Sequence, residues 1–246
     1  MSCTRPYFKK GSVMLSKIKK YRHGFVILSY FIVYLILFNY LEQRPVHSYH
    51  IVHTVFDDMI PFCEIFIIPY LLWFPYVILT VAYFLFLNKN KREYFQLIFN
   101  LMMGMTVFLV VSYIYPNIQQ LRPAVFPRNN IFTQLVAGIY KTDTPTNILP
   151  SIHVFNSLAV YFAIRHCQAL KNKKWIQIGS LILSTLIVLS TMFIKQHSVI
   201  DVCLGTTLAL FGHLLFYPQR VEEYDEQRAM SQIHKKNRKQ NLEQNL

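Results

Sequence analysis

The chain is expected to fold as an all-α, polytopic membrane helix bundle with about six transmembrane helices and both termini cytoplasmic. Three features carry that expectation. Hydrophobic residues make up 53% of the 246, and only 15% are charged, against roughly 25% in soluble domains. Six long stretches are nearly free of charge, and the Lys and Arg residues fall between them on one side.

A bilayer core of about 30 Å takes roughly 20 apolar residues of helix. Residues 24–41 carry no charge, and 60–87 carry only Glu64. Residues 95 to about 116 are uncharged. The fourth stretch runs from 150 to about 170 and is uncharged as far as Ile164. Residues 175–194 are uncharged, and the last stretch, about 198–217, has Asp201 near its start. The first run is too long for the apolar part of a signal peptide and lacks a small-residue cleavage site, so it is expected to be a spanning helix.

Orientation follows from Lys and Arg. Of the 25, all but Arg44, Arg122, Arg128, Lys141 and Lys195 lie in segments 1–23, 88–94, 165–174 and 218–246. In a six-helix chain these four segments share one face, which is expected to be cytoplasmic. The domain plan is a basic tail 1–23, a membrane domain 24–217 and a polar tail 218–246. The net charge of +13 is thus spread over loops and tails, and no nucleic-acid partner is expected. The expected location is the plasma membrane. Four scattered cysteines form no C-x-x-C pair and give no metal or disulfide framework.

Polar residues at membrane depth are costly and usually functional. Three clusters fall at helix ends on the outward face: Arg122-Pro123, then Pro150-Ser151-Ile152-His153, then Lys195 through Asp201. His197 and Asp201 are four apart, so on one helix they share a face. Asp201 then accepts from one imidazole nitrogen and leaves the other as a lone pair. Such an imidazole is a competent nucleophile toward phosphorus. His153 is placed to protonate the departing oxygen, and Arg122 offers a planar set of donors for phosphoryl oxygens. Ser151, at a helix start, offers a hydroxyl and nearby N–H groups to an anion. This chemistry needs no metal and no cofactor. His47, His50 and His53 lack the H-E-x-x-H spacing and are expected to be surface or interfacial. The Phe and Tyr residues are expected to face lipid and its interface.

The pattern resembles the phosphatidic acid phosphatase type 2 superfamily, whose signature reads K-x6-R-P, P-S-G-H and S-R-x5-H-x3-D. Arg122-Pro123 matches the first part, with Tyr115 where the Lys stands. Pro150-Ser151-Ile152-His153 matches the second, with Ile152 for Gly. Ser190, His197 and Asp201 match the third, with Thr191 for Arg. The resemblance implies His197 as a phosphohistidine-forming nucleophile, Asp201 as its partner, His153 as general acid and Arg122 as phosphate ligand. Lys195 stands close enough to His197 to replace a missing cation. The variant motifs, and the stretch from Asp57 to Phe62, are similar to the branch with inositol phosphorylceramide synthases. The implied activity is a lipid phosphate phosphatase acting on phosphatidate, phosphatidylglycerophosphate or a polyprenyl diphosphate. The alternatives are a lipid headgroup phosphotransferase and, from another class, a transporter without covalent chemistry.

Overall fold

The computed structural model describes residues 24–217, with 230, 231 and 233. The basic leading tail and most of the closing tail lie outside the described residues. In chain order come α1 (Gly24–Gln43), β1 (His50–Ile51), α2 (Val55–Met59), a 3-10 turn (Glu64–Phe66) and α3 (Ile67–Ala82). After a π-helical turn (Tyr83–Leu87) follow α4 (Lys91–Ile114), β2 (Asn117–Ile118), α5 (Ile131–Thr142) and α6 (Ile152–His166). A second 3-10 turn (Gln168–Leu170) leads to α7 (Lys174–Phe193) and α8 (Val199–Phe216).

Among the described residues, five helical stretches are long and apolar enough to cross a membrane: Gly24–Gln43, Glu64–Leu87, Lys91–Ile114, Lys174–Phe193 and Val199–Phe216. They fall within a few residues of the expected spans. The fourth expected span is shorter than the sequence suggested. It begins at Ile152 and ends at His166, 15 residues, or roughly 22 Å at 1.5 Å per residue. Its surroundings explain the length. α6 packs against α3, α4, α7 and α8, and most of its residues from Val154 to Ile164 are buried. A helix enclosed by other helices need not match the lipid thickness itself.

Contacts between helices are close and partly polar, as expected where lipid is as apolar as the helices. Tyr76 Oη on α3 lies 2.6 Å from Ser180 Oγ and 3.1 Å from Ser184 Oγ on α7. Ser184 Oγ donates to the Ser157 carbonyl of α6 at 3.0 Å. Two glycines set crossings. A Cβ at Gly104 would lie 2.0 Å from the Phe155 ring, and one at Gly205 would lie 2.7 Å from the Ser151 carbonyl oxygen. α1 is peripheral, with only Tyr34 and Leu41 buried.

α1, α4 and α7 end where α3, α6 and α8 begin, so one end of the bundle collects the connecting segments. β1 and β2 pair in parallel there, His50 with Asn117 and Ile51 with Ile118. Asn117 Oδ1 accepts from the N–H groups of Ile148 (2.7 Å) and Leu149 (3.1 Å), holding the approach to α6. α5 was not foreseen. Asn130 caps it by accepting from Thr133 N at 2.9 Å, and its Val136 packs with Ile67, Tyr70 and Ile194. Glu64 grips this segment through Arg128 Nε (2.6 Å), Arg128 Nη2 (2.7 Å) and Asn130 Nδ2 (2.9 Å).

Candidate active site

The turn between α7 and α8 folds on its own backbone. The N–H groups of Gln196 (2.9 Å) and His197 (3.0 Å) both donate to the Thr191 carbonyl. Lys195 adopts φ 55°, a left-handed conformation that costs a side-chain-bearing residue and favours glycine. Ser198 then caps α8, its Oγ accepting from Ile200 N at 3.3 Å. His197 therefore precedes the helix and does not lie on it, a correction to the one-helix reading of the H-x3-D spacing. The extended backbone of Ser198 brings the imidazole back over the first turn. His197 Nδ1 sits 2.5 Å from Asp201 Oδ2, and both residues are buried.

α6 delivers the second imidazole. Ser151 is its N-cap, with Oγ accepting from Val154 N at 3.4 Å, and Ser151 N donates to the Asp201 carbonyl at 3.2 Å. His153 Nδ1 lies 3.2 Å from His197 Nε2. Two aromatic residues of α3 hold its ring, Tyr70 with centroids 4.7 Å apart and Trp73 at 4.3 Å. An ionised Asp201 accepts from His197 Nδ1–H. The lone pair on His197 Nε2 then faces His153 Nδ1–H, so one proton on each ring satisfies the relay. Asp201, His197 and His153 thus form a continuous chain, with Ser151 beside it.

Arg122 approaches the relay through an intermediary. Its Nη1 donates to the Tyr140 carbonyl (3.1 Å), and its Nη2 to the Asp143 carbonyl (2.8 Å) and Gln196 Oε1 (2.5 Å). Its guanidinium lies 4.4 Å from the Tyr140 ring centroid. Burial lowers its pKa, against the pull of Asp143. Among the described residues, Arg122 Nε and Gln196 Nε2 are buried donors without a hydrogen-bond partner. Lys195 faces another way: its Nζ donates to the Asp57 carbonyl at 2.6 Å, and burial lowers its pKa while Asp57 and Asp58 oppose the shift.

Asp57 was not foreseen as part of the site. It is 2% exposed and accepts from Ser198 Oγ at 2.7 Å and Val199 N at 2.8 Å. Thr54 donates to it twice, from N at 2.7 Å and from Oγ1 at 3.1 Å. Burial pushes its pKa up, but these donors overcome that and hold it below the usual 3.8. Tyr70, Trp73, Gln196 and Asp143 also escaped the sequence. Tyr70 Oη donates to Asp143 Oδ2 at 3.0 Å, while Gln196 carried the weak signal of standing next to His197.

The two positions that lack the signature's cations serve as scaffold. Tyr115 stacks on His50 at 4.1 Å, and Thr191 presents its carbonyl to the turn at Gln196 and His197. Of the three outer histidines, His50 thus meets Tyr115, and His53 Nε2 lies 2.9 Å from Asp58 Oδ1. Among the described residues no group of three or more His, Cys, Asp or Glu side chains is gathered as a metal site.

No curated protein and no solved structure matches the chain. A family model described as the PAP2 superfamily matches residues 93–225, more than half of the sequence. That span includes Arg122, Ser151, His153, His197 and Asp201, and members of the superfamily are phosphatases or phosphotransferases. By that match, and with a helical membrane fold around it, the chain belongs to the PAP2 superfamily.

Proposed function

We propose that the protein is a metal-independent lipid phosphate phosphatase working through a phosphohistidine on His197. The observation that carries the reading is the relay from Asp201 through His197 to His153, with separations of 2.5 Å and 3.2 Å. When the His153–His197 contact opens to admit a phosphoryl group, the His197 Nε2 lone pair that it occupied meets phosphorus and the freed His153 N–H meets the lipid oxygen. His197 Nε2 forms a bond to phosphorus, the bond from phosphorus to the lipid oxygen breaks, and that oxygen takes a proton from His153, which enters this step doubly protonated as an imidazolium and leaves it as a neutral ring. Asp201 stabilises the positive charge left on the His197 ring. In the second half, His153 takes a proton from water as its oxygen attacks phosphorus. The P–N bond breaks, and phosphate and free His197 result. Arg122, whose Nε lacks a partner among the described residues, and the donors at the start of α6 are the proposed ligands of the phosphoryl oxygens.

The charge pattern of the loops supports a site on the non-cytoplasmic face, since the relay lies at the end of the bundle away from segments 88–94 and 165–174. Phosphatidate, phosphatidylglycerophosphate and polyprenyl diphosphate are the substrate class. A second reading, lipid headgroup transfer of the inositol phosphorylceramide synthase kind, replaces water by an alcohol. It is favoured by the neutral residues at Tyr115 and Thr191.

The test is purified protein in EDTA with a panel of labelled lipid phosphates, with and without alcohol acceptors, beside His197→Ala. Release of phosphate by the wild type alone supports hydrolysis, and a new phosphodiester supports transfer. Near-normal turnover by His197→Ala refutes the nucleophile, and a divalent-ion requirement refutes the metal-free chemistry.

A further inference from the structure

Asp57 lies outside the matched family span of 93–225, on the five-residue α2, and none of the steps above uses it. Its surroundings set it apart from its neighbour. Asp58 is an exposed carboxylate whose contact is the exposed His53, with side chains 67% and 44% accessible. Asp57 turns inward and takes four hydrogen bonds. Thr54 N, Thr54 Oγ1 and Ser198 Oγ share its Oδ2, and Val199 N takes its Oδ1. Lys195 Nζ closes on the carbonyl of the same residue. Ser198 and Val199 directly follow His197 in the chain, and Lys195 stands two residues before it. One residue therefore binds the catalytic turn on both sides of the nucleophile.

We infer that Asp57 is the positioning residue of the site, a clamp that fixes the 195–199 turn so that His197 Nε2 points at the phosphoryl group. The inference rests on the phosphohistidine reading. The carboxylate caps α8 from outside, accepting the Val199 N–H that the helix itself leaves free, with its charge at the favourable end of the helix dipole. It also fixes the Ser198 hydroxyl as a donor, so that the Ser198 lone pairs remain for Ile200 N. Without it, the left-handed backbone of Lys195 is free to relax, and the imidazole swings with it. His197 keeps Asp201 as its partner in that event. The defect expected is in aim, with ionisation and phosphate affinity retained.

The test compares Asp57→Ala, Asp57→Asn, Ser198→Ala and Asp58→Asn in the full chain, purified in detergent. Turnover is read with dioctanoyl phosphatidate and p-nitrophenyl phosphate, and amide hydrogen exchange is read over 194–201. Misplacing a catalytic group by about 1 Å costs on the order of 100-fold, so Asp57→Ala should lower kcat by roughly that factor and leave KM within about threefold. Asn keeps an acceptor for Val199 N–H, so Asp57→Asn should recover part of the rate, and Asp58→Asn should match the wild type. Exchange at 195–199 should accelerate in Asp57→Ala and not in Asp58→Asn. If Asp57→Ala fails to fold, Asp57→Asn and Ser198→Ala decide the matter by the same readouts. Wild-type kcat and unchanged exchange in these variants overturn the clamp, as does a loss confined to KM. A wild type inert toward every lipid phosphate, with exchange still accelerated by Asp57→Ala, overturns the proposed function and leaves the clamp standing.

Discussion

Gly205→Ala adds one methyl group at the point where α8 crosses the start of α6. The new Cβ would lie 2.7 Å from the Ser151 carbonyl oxygen and 3.2 Å from Val154 Cβ. Ordinary contact begins at 3.4 Å, so the helices must part by about 0.7 Å. The obstacle is backbone, and no side-chain rotation relieves it. Both halves of the relay ride on this crossing, because Ser151 and His153 sit on α6 while Asp201 lies one turn before Gly205 on α8. Adding the full opening to the His153–His197 separation of 3.2 Å takes it to about 3.9 Å, beyond hydrogen-bonding range. With a 1 Å error costing on the order of 100-fold, a shift of this size should lower kcat by roughly tenfold or more. Overpacking should cost about 1–3 kcal/mol, partly offset by the up to about 1 kcal/mol that Ala gains over Gly in a helix. Gly179→Ala on α7 is the matched control, since its Cβ would meet nothing within 4 Å. Turnover on dioctanoyl phosphatidate and thermal unfolding in detergent, measured on both variants, test the reasoning. A fully active Gly205→Ala would refute it, and so would an equal loss in Gly179→Ala.

Two further perturbations follow from the same contacts. Asn117→Ala leaves the buried N–H groups of Ile148 and Leu149 without their acceptor. At about 1–3 kcal/mol per group and roughly 2–4 °C per kcal/mol, the unfolding midpoint should fall by at least about 4 °C. A midpoint unchanged in a detergent melt would show that the Asn117 carbonyl does not hold the approach to α6. Asp57, its pKa held below the usual 3.8 in the folded chain, adds stability that is fully present above that value. That stability is lost as pH falls through the lower folded value. The gap in melting temperature between the wild type and Asp57→Asn should therefore be constant from neutral pH down to about 4 and narrow below it. A gap that closes above about pH 5 contradicts the assignment.

The spanning helices were legible because each is a long apolar run bounded by charge, and lipid enforces that pattern on any helix that touches it. The same logic misjudged α6. Its length is set by neighbouring helices, and an apolar stretch gives no sign of which helix will be enclosed. α5 was legible in principle: Asn130 stands as a cap, and Ile131, Leu135 and Ile139 recur at helical spacing, yet twelve residues inside a connecting segment fall short of a span. The relay residues declared themselves because His, Arg and Asp are rare at membrane depth. Tyr70 and Trp73 did not, because α3 is aromatic on several faces and only its packing decides which ring meets His153. Asp57 and Asp58 are adjacent and chemically alike. What separates them is direction, inward to Ser198 or outward to solvent, and that is settled only by how α2 docks on the 195–199 turn.

The charge at the site bears on which ester it handles. Its nearby cations, Arg122 and Lys195, are already bound to protein oxygen atoms, and Asp57, Asp143 and Asp201 stand close by. Tyr115 and Thr191 add no positive charge where the signature has Lys and Arg. A phosphate monoester brings a charge of about −1.5 to −2 at neutral pH, while a phosphodiester brings a single charge. Donors with spare N–H bonds are Arg122 Nε and Gln196 Nε2, Arg122 Nη1 and Lys195 Nζ with one acceptor each, and the N–H groups at helix starts, two cations among neutral dipoles. Dipoles orient an anion well but compensate a second charge poorly at low dielectric. On the phosphatase reading, the second charge of a monoester therefore falls to Arg122 and Lys195, whose partners are neutral carbonyl and amide oxygens that leave their charge in place.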